Sequence, residues 1–125
     1  MKVTQLKTPI AQAAVDAIVV GVFSDDKLED SKAPKAVAEI DRATSGLLTT
    51  LSERQEITGK KYDLTTLLAP PRIAAGQLLI VGLGQREKFD AGIAFRAAGA
   101  AAKQLSAKKR DKVAFDQVVD RFAEL

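Results

Sequence analysis

Neither cysteine nor histidine occurs in this chain, and the two absences remove whole classes of chemistry. Without cysteine there is no disulfide, no thiolate nucleophile and no thiolate-bound metal, a composition compatible with a reducing cytoplasm. Without histidine the commonest metal ligand is gone, and so is the side chain most used for proton transfer near neutral pH. Aromatic residues are few, five Phe and one Tyr, which gives little for single-stranded nucleic acid to stack on. No window approaches the roughly 18 consecutive apolar residues of a membrane span, and the first ten residues carry no apolar signal core. The reading is a soluble, cytoplasmic protein with no membrane partner. Nineteen basic against sixteen acidic side chains leave a net charge of +3, well short of the concentrated basic face that marks a polyanion binder.

What is present fits a globular α/β domain. A chain of 125 residues suits one domain, 1–125, able to bury about two-thirds of its unfolded surface without covalent staples. Hydrophobic residues at 46% and charged residues at 28% are ordinary for a folded domain. The organising stretch is 72–105. Leu78, Leu79, Ile80 and Val81 form an unbroken apolar run rather than an alternating one, the pattern of a strand covered on both faces. Gly82 and Gly84 follow as turn residues. Asp90 is placed to cap a helix from Ala91, in which Ile93, Ala97, Ala100 or Ala101, and Leu105 recur at helical spacing. Its small residues predict close packing on the sheet, with Phe89 and Phe95 as the larger contacts.

Around that unit the pattern predicts an edge strand at 3–6, a buried strand at 17–23, and a polar, acidic loop at 24–32. The loop lacks the glycine and distal glutamate of a calcium-binding loop, and reads as solvated. Pro34 suits a first helical turn. Val37, Ile40, Ala43, Leu47 and Leu51 mark an amphipathic helix bent or broken at Gly46. A turn at 58–61, a strand at 62–68 ended by Pro70 and Pro71, a strand at 112–115 and the start of a helix through Val118, Val119 and Phe122 complete the order. The expected fold is a three-layer α/β/α domain with a mixed sheet. Its antiparallel pair is expected between the first two strands, because too few residues separate them for a helical crossover.

Three short motifs invite a ligand. Gly82 and Gly84 precede a helix and form a candidate anion-binding turn, although only two glycines of a dinucleotide fingerprint are present. Gly59-Lys60 lacks the flanking residues of a phosphate loop and reads as a turn. Lys103, Lys108, Lys109, Arg110 and Lys112 form a candidate basic patch near a helix C-terminus, where cations also complement the helix dipole.

Taken together, Ile40-Asp41-Arg42-Ala43-Thr44-Ser45-Gly46-Leu47-Leu48, Ile57-Thr58-Gly59-Lys60, Thr65-Thr66-Leu67-Leu68, and Leu79-Ile80-Val81-Gly82-Leu83-Gly84 before an alanine-rich helix resemble the amino-terminal domain of the cytosol (leucyl) aminopeptidase family. The resemblance implies a macro-domain-like fold and a non-catalytic accessory or assembly role. It also implies that a C-terminal catalytic domain, absent from this sequence, holds two divalent ions, zinc or manganese. That domain and the neighbouring subunits of a homohexamer are the implied partners. The family's Asn-Thr-Asp-Ala-Glu-Gly-Arg metal-binding signature does not occur here, so no catalytic or metal residue is assigned. The alternative reading is a stand-alone module that binds ADP-ribose or another phosphate ligand, or nucleic acid through the basic 103–112 region.

Overall fold

Two runs of six buried residues, Ala17–Val22 and Gln77–Gly82, lie side by side in parallel at the heart of the sheet. The computed structural model describes residues 2–4, 12, 14–25, 35–107 and 112–115. Its strands are β1 (Lys2–Thr4), β2 (Ala17–Val22), β3 (Leu64–Leu68), β4 (Gln77–Gly82) and β5 (Lys112–Phe115); its helices are α1 (Lys35–Ala43), α2 (Leu47–Glu53) and α3 (Ala91–Leu105). The five strands are ordered β1-β5-β2-β4-β3, with β3 antiparallel to β4 and every other pair parallel.

Period-two geometry sends alternate side chains of the central strands to opposite faces. Ile18, Val20, Val22, Leu78 and Ile80 meet Val37, Ile40 and Leu48 of α1 and α2 on one face. On the other, Ala17, Val19, Leu79 and Val81 meet Ala97, Ala98, Ala101 and Leu105 of α3. This is the expected three-layer mixed α/β fold, and continuous apolar runs are what a doubly covered strand requires.

The antiparallel pair is not where the sequence reading puts it. Strand β5 inserts between β1 and β2 and runs parallel to both, so the first two strands do not pair. Long-range insertion of a late strand leaves no local trace. The antiparallel pair is β3–β4, joined by a short link in which the Ala69 N–H donates to the Gly76 carbonyl at 2.8 Å. Tyr62, expected within that strand, instead has φ 67° and belongs to the preceding turn. Phe95, expected as a core contact, is 48% exposed; the buried stripe of its helix is Ile93, Ala94, Ala97, Ala98, Ala101 and Leu105. Pro34, Val118, Val119 and Phe122 lie outside the described residues.

The break at Gly46 has a defined construction. Gly46 takes φ 85° and is the N-cap of α2 but offers no side-chain cap. Asp41, in the last turn of α1, supplies it: its carboxylate accepts from the Thr49 N–H at 3.0 Å and from the Thr49 hydroxyl at 2.6 Å. A carboxylate at the positive end of a helix satisfies an otherwise unpaired donor and opposes the dipole. Asp41→Ala is therefore expected to cost about 1–2 kcal/mol of stability, read as a lower urea midpoint, while Asp41→Asn, which keeps one acceptor, loses less.

Candidate functional site

In parallel α/β sheets ligands enter at the carboxyl ends of the strands, where the connections diverge. Here those ends belong to β2 and β4, and the 58–63 loop closes over them. The Ser24 N–H donates to the Gly84 carbonyl, Leu83 N–H to Val22, Gly84 N–H to Gly59, Gly82 N–H to Asp63 and Tyr62 N–H to Gly82, all between 2.8 and 2.9 Å. The loop sits so close that a Cβ on Gly82 would lie 1.8 Å from the Lys60 carbonyl oxygen. Gly82 is thus required by close approach within β4, and Gly84, at φ 80°, by the turn itself.

This arrangement bears on the glycine motif directly. The N–H groups of Gly82, Leu83 and Gly84 are each donated to a backbone carbonyl, so an anion at this turn would have to compete with the bonds that close the sheet end. The helix beyond begins as expected: the Asp90 carboxylate accepts from the Ile93 N–H at 2.8 Å. That places a negative charge on the α3 N-terminus.

Side chains around the closed end are largely committed to one another. The rings of Phe23 and Phe89 meet edge to face at 5.1 Å, and the Arg86 guanidinium lies 4.3 Å from the Phe23 ring centre, within cation–π range. The Asp25 carboxylate accepts from the Arg86 N–H at 3.2 Å. Thr58 donates its hydroxyl to the Asp63 carboxylate at 2.8 Å. Arg96 donates to the Tyr62 hydroxyl at 3.4 Å; this bond, with the electrostatic attraction of Tyr62, raises the guanidinium pKa above its ordinary value. The Lys61 ammonium stands 5.7 Å from the Tyr62 ring centre. The Thr58–Asp63 pair and the cations held over aromatic rings tie these loops together.

The sequence has no histidine or cysteine, and among the described residues no three Asp or Glu side chains converge. Of the acidic loop, Asp25 is described and the residues from 26 to 34 are not.

The candidate basic patch is only partly placed. Lys103 is exposed in the last turn of α3, and Lys112 begins β5, where its N–H donates to the Asp16 carboxylate at 3.0 Å. Lys108, Lys109 and Arg110 lie outside the described residues. Because α3 returns the chain from the carboxyl end of β4 to the amino end of β5, Lys103 and Lys112 sit at the opposite end of the sheet from Gly82 and Gly84. The two motifs do not form one site. What sequence reasoning missed was the clasp linking Phe23, Arg86 and Phe89 and the Tyr62–Arg96 contact, both of which join segments with no shared pattern. Among the described residues, no helix is long and apolar enough to cross a membrane.

A family model described as the cytosol aminopeptidase family, N-terminal domain, matches residues 19–121. A probable cytosol aminopeptidase of Xanthomonas oryzae pv. oryzae is 42% identical over 95 residues, which cover 76% of this chain and 18% of that protein. A probable cytosol aminopeptidase of Stenotrophomonas maltophilia is 38% identical over the same shares. The chain spans less than a fifth of the length of these relatives. Among solved structures, a mutant of tomato leucine aminopeptidase superposes with a TM-score of 0.67 at 20% identity, covering 92% of this chain and 22% of that one, a likeness of fold.

Proposed function

Since this chain belongs to the cytosol aminopeptidase family through that family's N-terminal domain, we propose that it is a non-catalytic accessory domain that supports assembly of a cytoplasmic metallo-aminopeptidase. The reaction proposed for the whole protein is hydrolytic release of an N-terminal residue, such as leucine, from a peptide. Two divalent ions, zinc or manganese, would supply water activation and carbonyl polarisation, held by residues outside the matched domain. The contribution of this chain is shape and contact surface toward the rest of that protein and toward neighbouring subunits of a homohexamer.

One observation carries the proposal. The sheet end where an α/β domain ordinarily receives its ligand is closed by backbone hydrogen bonds from the 58–63 loop, and the side chains around it are paired with one another.

Grafting tests this reading. This chain replaces the matching segment of the Xanthomonas oryzae relative, and the chimera is assayed for leucyl-peptide hydrolysis and for size in solution. The expected result is an assembled chimera with the unmodified enzyme's pH profile and metal dependence. A correctly assembled chimera with an altered pH profile or metal stoichiometry would show that the domain supplies a catalytic group.

A further inference from the structure

Strand β3 ends the sheet order, and its sequence, Leu64-Thr65-Thr66-Leu67-Leu68, contains neither charge nor proline. Edge strands usually carry one of these, because unpaired N–H and C=O groups template the addition of another strand. Which groups of β3 are unpaired follows from its ladder. The Asp63 carbonyl accepts from Gly82 and the Ala69 N–H donates to Gly76, in the register that sets Leu64 opposite Val81 and Leu68 opposite Gln77. In an antiparallel ladder, residues alternate between facing the partner and facing away. Asp63, Thr65, Leu67 and Ala69 therefore bond toward β4, and the N–H and C=O groups of Leu64, Thr66 and Leu68 point away from it. Among the described residues none supplies these outward groups with a partner.

The side chains add a second asymmetry. Leu64 packs against the α3-side core, whereas Leu68, four residues further on and on the same face, is 74% exposed. Leu67 goes to the opposite face, against the core under α1 and α2. The strand is bounded by residues that turn the chain out of extended geometry, Tyr62 at φ 67° and Ala69 at φ 48°, so a ladder along its outer edge would be confined to these five positions.

We propose that β3 pairs antiparallel with β3 of a second copy of this chain, about a two-fold axis through Thr66. In that register Leu64 faces Leu68 of the other copy, Thr66 faces Thr66, and Leu68 faces Leu64. The outward groups then form about six hydrogen bonds. Each exposed Leu68 gains an apolar neighbour, and no like charges meet within the paired residues. The edge is its own complement: three outward residues are centred on the middle one, with leucine at both ends. An isologous contact of this kind closes after two copies and joins the two five-stranded sheets into one. It depends on the edge of this domain alone and stands whether or not the chain works within an aminopeptidase.

Sedimentation of the chain over a dilution series, with two substitutions, tests the pairing. The unmodified chain sediments as a dimer that dissociates on dilution. Thr66→Pro removes the outward N–H at the axis while sparing the β4 ladder, where an edge proline is tolerated; it shifts the chain to monomer with unchanged far-UV circular dichroism. Thr66→Cys, in a chain with no other cysteine, crosslinks to its counterpart on mild oxidation, because the Cα atoms of a hydrogen-bonded pair lie about 5.5 Å apart, within disulfide reach. Thr65→Cys, which would face Leu67, does not. A chain that is monomeric at every concentration overturns the proposal. So does a dimer in which Thr66→Cys fails to crosslink, or in which Thr65→Cys crosslinks equally well.

Discussion

Gly82→Ala is expected to remove about 3–5 kcal/mol of stability, the scale reserved for changes that force backbone apart. The added methyl would lie 1.8 Å from the Lys60 carbonyl oxygen, 2.7 Å from its carbon and 2.8 Å from the Gly59 carbonyl carbon. None of these is the end of a flexible side chain that could swing aside. Nor can the loop retreat easily, because its other side rests on the backbone just beyond β2: a Cβ on Gly59 would fall 2.7 Å from the Ser24 backbone nitrogen. Relief would mean breaking the bonds between Tyr62 and Gly82, Gly82 and Asp63, and Gly84 and Gly59. A domain of this size has about 5–15 kcal/mol to lose, so the variant sits near its unfolding threshold. Gly99→Ala is the control. Nothing lies within 4 Å of its added methyl, and an alanine in the interior of α3 gains about 0.5–1 kcal/mol over glycine. Urea midpoints should move in opposite directions at unchanged slope, which separates a stability change from a change in the unfolded state.

Leu79→Ala is expected to cost about 3–5 kcal/mol, the upper part of the range for large-to-small core changes. Leu79 is fully buried on the α3 face of β4, and its cluster includes Ala17, Ala97, Ala98 and Ala101. Alanines have no rotamers with which to refill a void, and the strand beneath is held between β2 and β3. The cavity therefore persists and adds its own term to the lost transfer energy. Its neighbour Leu78 belongs to the cluster on the opposite face, which includes Val37, Ile40 and Leu48 with Leu51 packed at the margin, branched side chains better able to relax. Leu78→Ala should accordingly lose less than Leu79→Ala when both are unfolded in urea, although the two leucines are equally buried.

Much of the fold could be read from the chain because its signals are local. The apolar runs at 17–23 and 78–81 name doubly covered strands, Asp90 sits where the α3 cap is found, and Gly46 marks the break between α1 and α2. Strand order was not legible in the same way: β5 lies between β1 and β2 through pairings such as Val3 with Val113 and Ala17 with Val113, which join residues about as distant in sequence as the chain allows. Gly82 shows the same limit at a single position. Its place after an apolar run suggested a turn, whereas its reason is the approach of a loop some twenty residues earlier in sequence. The Asp41 cap was visible only as part of a family pattern, because a carboxylate in one helix serving the next requires the intervening turn to be known.

If the proposed accessory role is right, chemistry lies outside this domain, and turnover by the purified chain itself tests it. Leucyl-peptide hydrolysis is followed with zinc or manganese in excess, and retained metal is counted after desalting. The account predicts no release of leucine above the rate of metal in buffer, and no stoichiometric metal retained. Saturable turnover that follows bound metal, and is lost when that metal is chelated, would contradict it.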